Sequence, residues 1–365
     1  MFKTITVKIG SNVLAGNNGM LNLDRISHLA DQIAQLHADG KRVVLVSSGA
    51  VASGRSMVKL PKKIDTVSQR QVLSAVGQVK LLNIYTQLFD KHQIRIAQVL
   101  VTKEDFRTRE HYLNMKNCLN ALLDNGILPI INENDAVSVT ALMFTDNDEL
   151  SGLIASMMGA DALFILTNVD GIFNGDPKLP GSKVIRTIEG DKTDLSEYIS
   201  TTKSDFGRGG MLTKCRIAQK TAASGISVHI ANGTRDHVLV ELSKNYNDVT
   251  HTHIIPGGKH AAVKKWIAYS EGFAKAEIVI NKGAVDALFN HKATSLLLPG
   301  VVCINGEFKK GDVLKILNEQ SELIGLGKAQ YDVEKAQKNR FGKKYKPLIH
   351  YDYLYLYPHN VEDKQ

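Results

Sequence analysis

From residue 1 to about 250, short runs rich in Val, Ile and Leu alternate with longer segments of helical period, and this alternation admits few folds. The strand candidates are residues 4–9, 42–46, 96–100, 127–131, 162–167 and 227–230. Strands that are apolar almost throughout belong to a sheet covered on both faces. The expected fold is therefore α/β, a mostly parallel sheet sandwiched between helices. Between the first two strands, Ile26, Leu29, Ala30, Ile33, Ala34 and Leu36 recur at helical spacing and the pattern stops at Gly40. Residues 72–90, 112–125 and 150–159 read as helices for the same reason.

Beyond residue 250 the pattern changes. Short runs at 276–280, 295–298, 313–317 and 322–325 are separated by glycine-containing turns, which predicts a small β-rich domain, a partly closed barrel. Pro256, Gly257 and Gly258 mark a linker, giving domains over 1–250 and 264–360 joined by 251–263. A length of 365 residues suits two domains. Tyr351, Tyr353, Tyr355 and Tyr357 alternate, so they share one face of a strand, read as the closing strand of the small domain.

Composition narrows the class of protein. With 43% hydrophobic residues, 22% charged residues and 8 Pro, the chain is globular rather than disordered. A formal net charge of +8 favours anionic partners such as nucleotides or nucleic acid, although the densest basic stretch, 335–346, reads as a solvated face. Cys118, Cys215 and Cys303 are too far apart for a disulfide framework or a zinc site. His251 and His253 have no third ligand placed beside them, so no metal site is expected there. The N-terminus lacks signal-peptide regions, and no apolar run approaches the roughly 20 residues of a membrane span. A soluble, cytoplasmic protein is expected.

In open α/β sheets, ligands bind beyond the carboxyl ends of the strands. Lys8, Gly10, Ser11 and Asn12 follow the first strand, where glycine allows close backbone approach to an anion and lysine adds charge. Alone, this is an ordinary tight turn with a surface lysine. Ser47, Ser48, Gly49 and Ala50 follow the second strand, a helix cap or an anion contact. Asn132, Glu133, Asn134 and Asp135 follow the fourth, with Asp146, Asn147 and Asp148 a little further on. Each could be a turn or cap residue; as a set they exceed what turns require. Asn168 and Asp170 follow Thr167, and Arg208, Gly209, Gly210, Met211, Leu212, Thr213 and Lys214 lead into a helical pattern able to cradle a polyphosphate. Neither G-x-x-x-x-G-K-[ST] nor G-x-G-x-x-G occurs in these loops. Two lysines, two glycine loops and an acidic pair nonetheless match the needs of phosphoryl transfer, which are positioning and charge neutralisation.

The set K-I-G-S-N-V-L (8–14), S-S-G-A (47–50), A-V-G-Q (75–78), I-N-E-N-D (131–135), D-N-D (146–148) and G-G-M-x-T-K (209–214) resembles the glutamate 5-kinase family, within the wider amino acid kinase family. W-I-A from Trp266, K-G-A (282–284), S-L-L-L-P-G (295–300) and G-x-F-x-x-G-D (306–312) are similar to a PUA domain. Three positions depart from the family pattern: Asn168 in place of Asp, Thr145 in place of Gly, and Arg208 in place of a small residue.

The resemblance implies ATP-dependent phosphorylation of the glutamate side-chain carboxylate, the first step of proline synthesis, with Mg²⁺ carried mainly on ATP. It implies that Lys8 and Lys214 flank the transferring phosphoryl group and that Asp148 holds them. Ser48, Asp135 and Asn147 would bind glutamate. Lys8, Gly10, Thr167, Asn168 and the run Arg208, Gly209, Gly210, Met211, Leu212, Thr213 and Lys214 would bind ATP. Feedback inhibition by proline and a homo-oligomer are further expectations. The rival readings are another carboxylate or carbamate kinase of the same fold and, from a different class, an RNA-binding protein acting through the PUA-like domain.

Overall fold

The computed structural model describes residues 2–16, 19–61, 65–138, 144, 146–177, 179–189, 211–257, 262–290, 293–338 and 346–357. Thr145, Arg208, Gly209 and Gly210 lie outside them. The chain divides into two compact units, Met1–Lys259 and His260–Gln365.

The first unit contains β1 (Thr4–Ile9), β2 (Arg42–Ser47), β3 (Ile96–Val101), β4 (Leu128–Glu133), β5 (Ala162–Thr167), β6 (Thr187–Glu189), β7 (Ser227–Asn232) and β8 (His251–Ile255). They form one sheet in the order β3-β4-β2-β1-β5-β7-β8-β6. Neighbours run parallel except β7 and β8, which are antiparallel. Its helices are α1 (Ser11–Leu14), α2 (Leu23–Ala38), α3 (Ala50–Arg55), α4 (Thr66–Asp90), α5 (Arg109–Asp124), α6 (Asn147–Met158), α7 (Met211–Ala223) and α8 (Val238–Asn245). Alternate sides of the strands feed two apolar cores. Ile5, Val7 and Ile9 join Phe164, Ile33 and Leu36 in one; Leu163, Ile165, Val228 and Ala218 lie in the other.

Helix starts fall where caps allow. The spacing predicts a helix from residue 72, but α4 begins at Thr66, because the Asp65 carboxylate accepts from Val67 N at 3.0 Å and Ser68 N at 2.9 Å. Exposed Val67, Val72 and Val79 blur the apolar stripe that would have signalled the first turns.

The linker expected at 251–263 is corrected at its start. His251–Ile255 is strand β8, inside the sheet, with His253 opposite His229. Pairing with β7 gives the alternating His-Thr-His a buried face and brings in the third histidine that the sequence had left distant. Ser227 Oγ lies 2.8 Å from His253 Nε2 and 2.9 Å from His229 Nε2. His229 Nδ1 lies 2.9 Å from His251 Nε2, and His251 Nδ1 lies 2.9 Å from the Val249 carbonyl. A carbonyl only accepts, so His251 carries its proton on Nδ1, and every later donor in the chain is then fixed with all three rings neutral. Burial, reinforced by the neighbouring histidines, pushes the His229 pKa down to about 2.

An acid-stability slope is expected from this cluster. Below the unfolded histidine pKa of about 6.5 the unfolded chain takes up protons that the folded cluster refuses, so stability is full above that pH and falls below it. His229 alone contributes about 1.4 kcal/mol per pH unit. Urea unfolding between pH 7.5 and about pH 5 measures it, and His229→Phe should flatten the slope.

The second unit has β9 (Ala276–Ile280), β10 (Val301–Asn305), β11 (Val313–Leu317), β12 (Leu323–Ala329) and β13 (Ile349–Leu356), with α9 (Ala262–Ala268), α10 (Lys282–Asn290) and α11 (Val333–Lys338). The sheet is mixed, in the order β10-β9-β11-β12-β13, with β10 and β13 at its ends among the described residues, and it forms the small β-rich domain expected there. Ile278, Ile280, Leu314, Ile316, Ile324 and Ile349 form its core. The tyrosine stripe falls on and just after β13. Tyr355 is buried, and the Tyr357 hydroxyl donates to Glu271 Oε2 at 2.8 Å. No helix of the described residues is long and apolar enough to cross a membrane.

Candidate active site

Strands β4, β2, β1, β5 and β7 are consecutive and parallel, so their carboxyl ends form one row. Along it stand the segments singled out in the sequence. Near the centre, Lys8, the penultimate residue of β1, is almost fully buried, with Nζ 2.5 Å from Asp148 Oδ1. Asp148 lies in the first turn of α6 and is 0% exposed. Lys214, from the first turn of α7, bonds the other carboxylate oxygen, Asp148 Oδ2, and its Nζ lies 3.8 Å from Asp146 Oδ2. One carboxylate thus holds two ammonium groups from separate elements side by side.

The electrostatics follow from burial and these partners. Burial works against the Asp148 charge, but Lys8 and Lys214 overcome it and hold the carboxyl well below the usual range. Burial pulls the Lys8 pKa below its ordinary value, with Asp148 opposing. For Lys214 burial is outweighed by Asp148 and Asp146, and the pKa is raised. Burial and the Asp148 charge lift Asp146 to about 6. Burial raises the neighbouring Cys215 thiol to about 12, so it supplies no thiolate here.

Asp146 is a helix cap, as the plain reading of the acidic cluster allowed. Its Oδ1 accepts from Asp148 N at 2.8 Å and Glu149 N at 3.2 Å, while Oδ2 is buried with no hydrogen bond among the described residues. Asn147 is different. Its side-chain amide nitrogen lies 2.9 Å from the Ser47 carbonyl, 3.0 Å from Ser48 Oγ and 2.9 Å from Asn132 Oδ1. Ser48 therefore binds Asn147 rather than capping α3, which starts without a side-chain cap after Gly49 at φ 103°. Asn132 Nδ2 in turn donates to Gln78 Oε1 at 2.9 Å.

That last bond gives A-V-G-Q its physical content. A Cβ on Gly77 would lie 1.9 Å from the Ala50 carbonyl oxygen and 2.4 Å from Gly54 N, so α3 and α4 touch through backbone. This contact sets the Ser48 end of α3, and Gln78, one residue on, anchors Asn132.

Asp135 sits at the far end of the row. Its Oδ1 accepts from Arg70 Nε at 3.0 Å and lies 2.7 Å from Arg70 Nη2, and Ser74 Oγ is 3.5 Å from Oδ2. On the other side, Gly10 N donates to the Leu166 carbonyl at 3.2 Å, and a Cβ there would be 3.5 Å from Lys8 Nζ. Thr167 Oγ1 contacts Asn168 Oδ1 at 3.4 Å, and Thr167 is paired in register with Asn232, whose amide donates to Asp170 at 2.9 Å. Met211, Leu212 and Thr213 lie with Lys214 at the start of α7. Lys8, Asp148 and Lys214 are thus brought together, as are Ser48 and Asn147. Sequence reading placed Asn132 in the acidic cluster without a role, left Gln78 inside a motif, and missed Arg70; the partners of all three are distant in sequence.

An open α/β sheet with two lysines locked on a buried aspartate at its strand ends has the layout of a phosphoryl-transfer enzyme. The amino acid kinase family pattern matches residues 3–232, and the PUA domain pattern matches residues 276–351. The chain belongs to the amino acid kinase family. It is 56% identical over 358 residues to the glutamate 5-kinase of Bacteroides thetaiotaomicron, covering 97% of this chain and 99% of that protein. The glutamate 5-kinase of Chlorobaculum tepidum is 49% identical, covering 98% of each, and that of Haemophilus influenzae strain PittEE is 36% identical, covering 96% and 95%. An isopentenyl phosphate kinase substrate complex shares the fold at TM-score 0.51 and 18% identity, over 69% of this chain and 100% of that one.

Proposed function

We propose that this chain transfers the γ-phosphoryl group of ATP to the side-chain carboxylate of glutamate, giving glutamyl 5-phosphate and ADP, the first step of proline synthesis. The observation that carries the reading is the fully buried Asp148 gripping both Lys8 and Lys214. Near-full-length similarity to glutamate 5-kinases supports the substrate. It favours glutamate over the other carboxylate and carbamate kinases and over an RNA-binding role.

The side-chain carboxylate, with a pKa near about 4.3, is already an anion at neutral pH and needs no general base. One of its oxygens bonds the γ-phosphorus as the bond to the bridging β,γ-oxygen breaks, and ADP leaves with that electron pair. Lys8 and Lys214 neutralise charge on the equatorial and leaving oxygens, and Asp148 keeps the two ammonium groups apart at a fixed spacing. Ser48 and Asn147 hold the reacting carboxylate, with Asp135 on the substrate's ammonium. Gly10, Thr167, Asn168 and the run from Arg208 to Lys214 hold ATP.

Mg²⁺ suits this site. Asp146 Oδ2 is a buried carboxylate oxygen without a hydrogen bond, a hard anionic donor of the kind Mg²⁺ prefers, and would hold the ion. When bound with ATP the ion supplies charge neutralisation at the phosphates. The ion would be carried mainly by the nucleotide. A cytoplasmic, homo-oligomeric enzyme inhibited by proline completes the proposal.

Hydroxylamine trapping tests it. With ATP and hydroxylamine, glutamate should yield an acyl hydroxamate at least about 10²-fold faster than aspartate, N-acetylglutamate or carbamate are turned over. ADP formation without hydroxamate from glutamate would remove the reading.

A further inference from the structure

We infer that Arg70 is the specificity-determining residue that reads the α-carboxylate of the substrate, an inference that rests on the glutamate kinase reading above. Arg70 lies in the second turn of α4, and its side chain is 28% exposed while the Asp135 side chain is 9% exposed. The guanidinium approaches Asp135 side-on, with Nε at 3.0 Å and Nη2 at 2.7 Å from the same oxygen, Oδ1. It also faces Glu133, whose Oε2 is 3.8 Å from Nη2. A surface arginine would gain little from such pairs. Here both acids are buried, Glu133 at the end of β4 and Asp135 two residues beyond it, beside the Asn132–Asn147–Ser48 chain.

The side-on geometry leaves chemistry available. Asp135 Oδ2 has only the Ser74 hydroxyl, at 3.5 Å, among the hydrogen bonds of the described residues. Nε and Nη2 of Arg70 both meet Asp135 Oδ1, so the guanidinium edge formed by Nη1 and Nη2 is not the one turned to that oxygen. A carboxylate oxygen beside a guanidinium fork is a receptor for a zwitterion: an ammonium meets Asp135 Oδ2 and a carboxylate meets the Arg70 fork. The α-carbon of a free amino acid carries both groups. An analogue lacking the α-carboxylate leaves Arg70 on Asp135, and one lacking the ammonium leaves Asp135 unsatisfied.

The test compares three ligands on Arg70→Met, which keeps the aliphatic stem, and on Arg70→Lys, which keeps the charge without the fork. L-glutamate carries both α-groups, glutarate lacks the ammonium, and 4-aminobutyrate lacks the α-carboxylate. Each is measured as substrate by hydroxamate formation or as competitive inhibitor of glutamate turnover. In Arg70→Met, glutamate and glutarate should weaken about 30- to 100-fold with kcat changed less than about 3-fold, and 4-aminobutyrate should stay within about 3-fold. Arg70→Lys should fall between, at about 10-fold. Equal weakening of all three ligands would assign Arg70 a merely structural hold on Asp135 and overturn the inference. Unchanged glutamate binding would overturn it too. A wild-type protein that makes no hydroxamate from glutamate fails the parent reading first, a result separate from either of these.

Discussion

Lys214→Ala should lower kcat by about 10³-fold or more while leaving the protein folded. The two halves of that expectation have different causes. Lys214 lies in the first turn of α7 and its side chain is 17% exposed; when it is removed Asp148 retains Lys8 at 2.5 Å, and Asp146, which loses its ion pair, retains two backbone donors on Oδ1. The fold therefore has little to lose. The transition state loses one of two cations placed beside it, and in a site with so little solvent that neutralisation is not replaced by water. Single-turnover measurements at saturating ATP and glutamate, with circular dichroism as the folding control, check both halves. Near-normal turnover would take Lys214 out of the chemistry.

Gly77→Ala should destabilise the protein by about 3 kcal/mol or prevent its accumulation. The added Cβ would lie 1.9 Å from the Ala50 carbonyl oxygen, and neither that oxygen nor Gly54 N belongs to a side chain that could turn away. Relief requires α3 and α4 to separate. Separation carries Gln78 off Asn132 and shifts Ser48 from Asn147, so the fraction that still folds should also bind glutamate less tightly. Urea unfolding of the variant reads the stability, and an unchanged midpoint would mean that the helix crossing is looser than the structure has it.

The sheet was legible because its central strands are buried on both faces and read as apolar runs. Residues 162–167 were recovered to the residue, and β1 likewise. β8 was not, because His-Thr-His beside Pro256 looks polar until His229 supplies a partner across the strands. The site shows the same division. Lys8, Asp148 and Lys214 were readable as types of residue at strand and helix ends, but their convergence joins residues far apart in the chain. Asn132 was legible only as a member of its strand-end cluster, and Gln78 and Arg70 carried no signal of their own, since each acts through a partner that only the fold brings near. The A-V-G-Q motif could have flagged Gln78, as it already entered the family resemblance. Asn168 stands at the end of β5 against Thr167, so its departure from the family pattern falls in the predicted nucleotide contact.

The claim on which the rest depends is that the glutamate side-chain carboxylate itself attacks the γ-phosphorus. Glutamate labelled with ¹⁸O in that carboxylate, turned over with ATP and hydroxylamine, tests it directly. Hydroxylamine cleaves the acyl phosphate at carbon, so the released phosphate should carry one ¹⁸O atom for each ADP formed. Unlabelled phosphate, with ADP still produced, would mean that water and not the carboxylate had received the phosphoryl group.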